Sequence, residues 1–262
     1  MAKARKKTSK ANDTWKRAGL VILLIGGLSI SSYYIYFWWM EKRAGFAHYE
    51  EFGIALPTEY EIHGIDVSHH QSVIKWEAVK EMQVKGIRLG FVFMKATEGY
   101  SSRDWQFGRN WRKAREVGMP RGAYHYFLPN KNGKLQADNF IATVSLESGD
   151  LPPVVDIEET YGVDNATIRR RLKEFLNVIE DHYKVRPLLY TYVDFYANVL
   201  GDEFDEYPLW VAHYIRMNHP RIEREWLFWQ HNEGGKVNGI LTPVDFDVFS
   251  GDSAQFRSLL VP

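Results

Sequence analysis

The chain has 262 residues, 33 Lys+Arg against 33 Asp+Glu and 45% apolar residues, which places it among folded proteins and excludes a disordered or fibrous one. It has no cysteine, so a disulfide framework, a thiol nucleophile and a thiolate metal site are excluded. Charge is unevenly spread: seven bases and one acid precede residue 41, leaving 26 basic and 32 acidic groups in residues 41–262, a balance that argues against a nucleic-acid partner.

Residues 1–18 read as a basic tail. Residues 19–40, GLVILLIGGLSISSYYIYFWWM, carry no charge over 22 positions. As a helix rising ~1.5 Å per residue they span about 33 Å, enough for one transmembrane helix. Tyr33, Tyr34, Tyr36, Phe37, Trp38 and Trp39 gather at the downstream end, where amphipathic rings favour the headgroup level. A cleaved signal peptide competes, with Ser29, Ser31 and Ser32 as small residues, but a cut there would leave a YYIYFWWM terminus and the apolar run is long for a signal. The segment therefore reads as an uncleaved signal anchor. The basic excess before it sets a single-pass topology with the N-terminus inside, the rest of the chain lying beyond a bacterial inner membrane in a periplasmic or extracellular space. Residues 41–61 are expected to form a stalk.

Residues 62–262 fit a single domain. Eight short apolar runs recur, IHGIDVS (62–68), LGFVFMK (89–95), RGAYHYF (121–127), PPVVDIE (152–158), PLLYTY (187–192), LWVAHY (209–214), LFWQH (227–231) and VDFDVF (244–249). Segments 73–85, 104–118, 134–148 and 165–184 between them carry helical spacing; Ile168, Leu172, Phe175, Leu176 and Ile179 keep one face. Strand alternating with helix predicts an α/β fold with a parallel sheet, and eight strands predict an irregular, TIM-like (β/α) barrel. The last strands are joined by connections too short for full crossover helices, so that part is expected to be partly antiparallel.

Several of these runs end in polar residues at the edge where barrel enzymes place their chemistry. Asp66 and Ser68 end the first, Lys95 the second, His125 the third, Asp156 and Glu158 the fourth, His213 and Tyr214 the sixth, Gln230 the seventh, and Asp245 and Asp247 lie on the eighth. Buried carboxylates are costly unless paired or wet, so such a set implies a solvated acidic pocket. Asp156 and Glu158, at i and i+2 on a strand, point to one face, while Glu159 points away. Two adjacent carboxyl groups split their pKa values, which supplies the acid and the anion that glycosidic bond cleavage needs. Trp210 and Trp229 are candidates for stacking on a sugar ring.

The ordered motifs GIDVSHHQ (64–71) followed by Trp76, FMKATEG (93–99), RGAYHYF, PPVVDIE, LLYTY (188–192), LWVAHY, FWQH (228–231) and VDFDVF resemble glycoside hydrolase family 25, the Chalaropsis-type lysozymes, from about His63 to Phe249. The resemblance implies a modified barrel, hydrolysis of the β-1,4 bond between N-acetylmuramic acid and N-acetylglucosamine in peptidoglycan glycan strands, and no metal or cofactor. It implies Glu158 as general acid, Asp156 as its partner carboxylate, Asp66 and Asp245 as further pocket carboxylates, and Tyr124 at the sugar site. It leans toward a substrate-assisted route, whereas the residues alone leave retention, inversion and substrate assistance open. Asp247 departs from the asparagine many members carry. No wall-binding repeat follows residue 249, so targeting is expected to rest on the anchor, with a monomeric catalytic domain. Two other readings compete: a non-catalytic wall-glycan binder, and a metal-dependent sugar deacetylase using Asp66, His69, His70, His125, Asp156 and Glu158.

Overall fold

A computed structural model of the chain describes residues 10–43, 45–215 and 218–262; residues 1–9 of the expected basic tail lie outside the described residues. Helix α1 (Lys10–Arg43) contains an apolar stretch, Arg17–Trp39, of mean hydropathy 1.8, none of it buried against the rest of the chain. It is long and apolar enough to cross a membrane.

The expected stalk over 41–61 is replaced, over most of its length, by folded structure. Strands Phe46–Tyr49 and Ile54–Pro57 form an antiparallel hairpin whose Phe52, Ile54, Ala55 and Leu56 are buried. Alternation is short here and the apolar residues cluster around the turn, so the sequence hides a hairpin that packs sideways on a larger body.

Eight strands follow: β1 (Ile62–Val67), β2 (Ile87–Glu98), β3 (Arg121–Tyr126), β4 (Val154–Asp156), β5 (Leu188–Tyr192), β6 (Leu209–Ala212), β7 (Phe228–Gly235) and β8 (Val244–Phe249). Each falls on an expected apolar run. β1 to β7 are parallel to their neighbours, β8 runs antiparallel to both β7 and β1, and the β1–β2 pairing closes the barrel. The antiparallel strand lies where the connections are shortest, because a parallel return needs a crossover that residues 236–243 are too few to make.

Helices α2 (Trp76–Glu81), α3 (Phe107–Glu116), α4 (Gly133–Ile141) and α5 (Asn165–Tyr183) cover the outer wall. The expected helix over 73–85 stops early: Lys85 and Gly86 take left-handed conformations (φ 48° and 93°), and Gln83 and Val84 turn back to pair with β2. α5 is capped by Asp164, whose side chain accepts from the Thr167 amide, and buries the predicted face Ile168, Leu172, Phe175, Leu176 and Ile179. A last helix, α6 (Ser253–Leu259), closes the bottom of the barrel, with Phe256 against Phe91 and Phe249.

Two apolar layers result. Outward residues of the strands meet the helices, while Phe91, Phe93, Leu151, Val154, Leu188, Trp210, Phe228 and Phe249 fill the barrel's lower interior. Gly122 is required there, since a Cβ at that position would stand 2.4 Å from the Phe93 ring.

Candidate active site

Above that apolar floor the inward positions turn polar. Side chains alternate along each strand, so Asp66, Tyr124, Asp156, Tyr190, Trp210, Gln230 and Asp245 all face one cavity of about 260 Å³, joined at its rim by Lys95, Tyr126, Glu158, Tyr214 and Glu233. Larger hollows of about 610 Å³ lie among charged side chains on the outer surface, where Arg170 already pairs with Glu174 and Arg224 with Asp205. Convergent carboxylates mark the site; volume does not.

The first ring of contacts is built on Gln230. Its Nε2 donates to Asp66 Oδ2 at 2.6 Å, and its Oε1 accepts from Tyr190 at 2.8 Å and from Tyr214 at 2.5 Å. Below it Trp210 stacks on Phe93 with centroids 4.4 Å apart and donates its indole N–H to Asp247 Oδ1 at 2.8 Å. Trp210 is 2% exposed and forms the cavity floor. Asp247, the residue that departs from the resembled family, therefore points inward beneath Asp66.

Asp156 and Glu158 stand within hydrogen-bond reach of one another, and Glu158 also reaches Tyr190. Burial, then the neighbouring Glu158 charge, raises the Asp156 carboxyl well above the usual range; burial raises Glu158 too, opposed by its hydrogen bonds to Asp156 and Tyr190. Two carboxyl groups this close resist ionising together, which favours a state with one proton between them. Asp156 is 6% exposed with one oxygen unpartnered, whereas Glu158 lies past the end of β4 at the more open rim. Burial and the charges of Asp245 and Asp247 raise Asp66, and burial with Glu233 and Glu158 pushes Asp245 up to about 7. Glu159 is exposed and outside the cavity.

One expected site residue is not there. Trp229 is completely buried on the outer wall, its indole donating to His213 O at 2.8 Å and its ring against Phe46, Tyr60, Trp226 and His231. Gln230 faces the cavity, so its neighbour on the strand must face away. Of the residues weighed as a metal site, Asp66, His70, Asp156 and Glu158 line the cavity, but the other two histidines are engaged elsewhere: His69 binds Asp104 at 2.7 Å, and His125 lies outside the barrel wall between Thr97 and Gln136. Among the described residues, no group of three or more His, Cys, Asp or Glu side chains is arranged to hold a metal.

Sequence reasoning missed Tyr190, Tyr126 and Glu233. Tyr190 had a signal, since Leu188 and Tyr190 share the inward phase of LLYTY. Glu233 had none, because register shifts after Gln230 and Asn232 break the alternation that would place it. Lys95, which ends the second apolar run, pairs with Glu98 at 2.7 Å and lies 4.7 Å from the Tyr126 ring centroid.

Comparison with known proteins agrees with this geometry. Residues 65–240 match the glycosyl hydrolases family 25. The chain is 42% identical over 216 residues to the uncharacterized protein YegX of Escherichia coli (strain K12), spanning 82% of this chain and 79% of that one. It is 32% identical to lysozyme M1 of Streptomyces globisporus, over 76% of this chain and 71% of that one. Among solved structures, a family 25 glycosyl hydrolase from Bacillus anthracis superposes with a TM-score of 0.72 at 28% identity, covering 82% of this chain and all of that one. The bacterial lysozyme of Streptomyces coelicolor gives 0.67 at 31% identity, over 76% of this chain and 96% of that one. Barrel, inward carboxylates and extended sequence similarity thus coincide over one stretch, and the chain belongs to the glycosyl hydrolases family 25.

Proposed function

We propose that the cavity hydrolyses peptidoglycan at the β-1,4 bond between N-acetylmuramic acid and N-acetylglucosamine, with Glu158 and Asp156 as its catalytic pair. As a family 25 glycosyl hydrolase the chain is a glycosidase, a muramidase acting on the cell wall. The observation that carries the residue assignment is the Asp156–Glu158 pair, two adjacent carboxyl groups facing the cavity at the end of a barrel strand.

Glu158, at the open rim, gives its proton to the leaving glycosidic oxygen as the bond to the ring carbon breaks and its electron pair moves to that oxygen. This step needs the pair's one proton on Glu158, against the burial that raises Asp156 well above the usual range; Asp156, then the anion, stabilises the positive charge left on the sugar, whether on the ring carbon or on the substrate's own acetamido group. Glu158, now a carboxylate, takes a proton from the incoming water as the water oxygen bonds to the ring carbon, which discharges the cation or displaces the acetamido oxygen and restores the starting state. Asp66 and Asp245, with Gln230, Tyr214, Tyr124 and the Trp210 floor, bind and orient the sugar. The α1 helix serves as an uncleaved anchor with the N-terminus in the cytoplasm and the barrel on the outer side of a bacterial inner membrane, as the basic excess before it supports.

The test is digestion of purified peptidoglycan followed by mass spectrometry of the released fragments. Fragments with N-acetylmuramic acid at the reducing end are expected. N-acetylglucosamine there, acetate release lost in EDTA, or binding without cleavage would each replace this reading with another. Proton NMR of the first product reports the route: a β-anomer fits retention with or without substrate assistance, an α-anomer fits inversion.

A further inference from the structure

The hairpin that stands where a stalk was expected fixes more than its own residues. Its turn reaches the mouth side of the barrel, where Lys236 donates its amide to Phe52 O at 2.8 Å and the Phe52 ring meets Phe246 at 5.3 Å. Its open end lies at the opposite side. Phe46 packs on Trp229 and His231 with centroids 5.9 and 6.1 Å away, Thr58 donates to Gly45 O, and Tyr60 sits 5.6 Å from Trp226, which precedes β7. The hairpin therefore lies along β7 and β8, and the chain enters it at the end remote from the carboxylates.

The incoming chain is short. Six residues, 40–45, separate Trp39, the last residue of the apolar span, from Phe46. Even fully extended they reach only about 20 Å. Gly45 turns the chain with φ 62°, a conformation open to glycine, directly into the hairpin. A membrane helix joined this closely to a packed hairpin cannot let the barrel tumble freely, and the attachment point dictates which end approaches the lipid.

We propose that the 46–57 hairpin is a bracket that seats the barrel base-down on the bilayer with its mouth directed away from the lipid. The inference rests on the reading of α1 as a membrane anchor. The partner surface is the bilayer itself, and the face that meets it is the barrel's closed end, covered by α6. β7 is eight residues long, about 25 Å along the strand. The mouth then lies no more than roughly 45 Å from the membrane surface, which confines cleavage to the membrane-proximal layer of glycan.

The native chain lacks cysteine, so single-cysteine variants take one label each. Leu241→Cys places a fluorophore on the 97% exposed residue in the mouth-side loop between β7 and β8, and Ala254→Cys places one on exposed α6. Each full-length variant is reconstituted into vesicles carrying a rhodamine-labelled lipid, and energy transfer to the lipid is read. The base label is expected to transfer at least about twofold more than the mouth label, given their separation of about one strand length. A flexible Gly/Ser segment of about twenty residues inserted after residue 44 is expected to abolish that difference. Equal transfer in the uninserted chain, greater transfer from Leu241→Cys, or a difference that survives the insertion overturns the bracket. Release of the chain by alkaline carbonate overturns the anchor reading as well, so the two failures are told apart.

Discussion

Tyr190 and Tyr214 donate to the same atom, Gln230 Oε1, from separate strand ends. Two phenols on one carbonyl oxygen leave the amide a single orientation, with Nε2 aimed at Asp66 Oδ2. The glutamine thus holds a buried carboxylate that has few other donors. Gln230→Glu would keep the two phenol contacts and set a carboxyl group against Asp66. The expected result is a drop of about 10- to 100-fold in kcat/KM on purified peptidoglycan, matching the loss of one hydrogen bond to a charged group. Unchanged turnover would show that Asp66 needs no such support.

Glu158→Gln should lower kcat by at least ~10²-fold with KM nearly unchanged, the usual scale for losing a general acid. Glu159→Gln should cost little, since that side chain is exposed and outside the cavity. Release of reducing ends from glycan strands measures both. Equal losses in the two variants would detach the chemistry from the inward face of β4.

Much of this arrangement was legible in the chain. Each apolar run became a strand, because four to eight apolar residues between breakers have few other uses in a domain of this size. Asp66, Asp156 and Gln230 follow from asking which polar residues end those runs, but the question does not serve every strand: His125 ends its run facing outward, and Asp245 lies at the start of β8, which is antiparallel. The failures are of two kinds. Trp229 as a sugar-stacking candidate and Gln230 as a site residue are incompatible, because strand alternation admits only one of two neighbours. The hairpin at 46–57 escaped because its burial comes from side-on contacts with Trp229, His231 and Phe246, which are distant in sequence and leave no local period.

The two tryptophans of the late strands should separate in experiment. Trp229→Ala removes a completely buried ring from the contact between wall and hairpin, and a loss of about 3–5 kcal/mol in unfolding free energy is expected for such a cavity. Tyr214→Ala removes a half-exposed ring at the cavity rim and should raise KM several-fold with a melting temperature close to the native one. Urea unfolding and steady-state kinetics of both variants make the comparison. A Trp229 variant that is stable but fails to bind glycan would return that residue to the site.

The carboxylate pocket should also leave a mark on stability as pH changes. In the unfolded chain Asp245 loses its proton near 3.8, while in the fold burial, Glu233 and Glu158 hold it to about 7. Between those values the folded state binds more protons than the unfolded one, so stability falls as pH rises through the window and levels off above it. Asp66, Asp156 and Asp247 are raised as well, chiefly by burial, and act in the same direction. Asp245→Asn removes one of these contributions while keeping the shape of the side chain. Its melting temperature should match the native protein's at about pH 4, where Asp245 is protonated in the fold, and exceed it by several degrees at about pH 8. The same variant should lose activity, because the charge it removes lines the sugar cavity. A melting temperature below the native one at the higher pH would mean that Asp245 is stabilised as an anion, and the repulsion among the pocket carboxylates would have to be relieved by a group other than a proton.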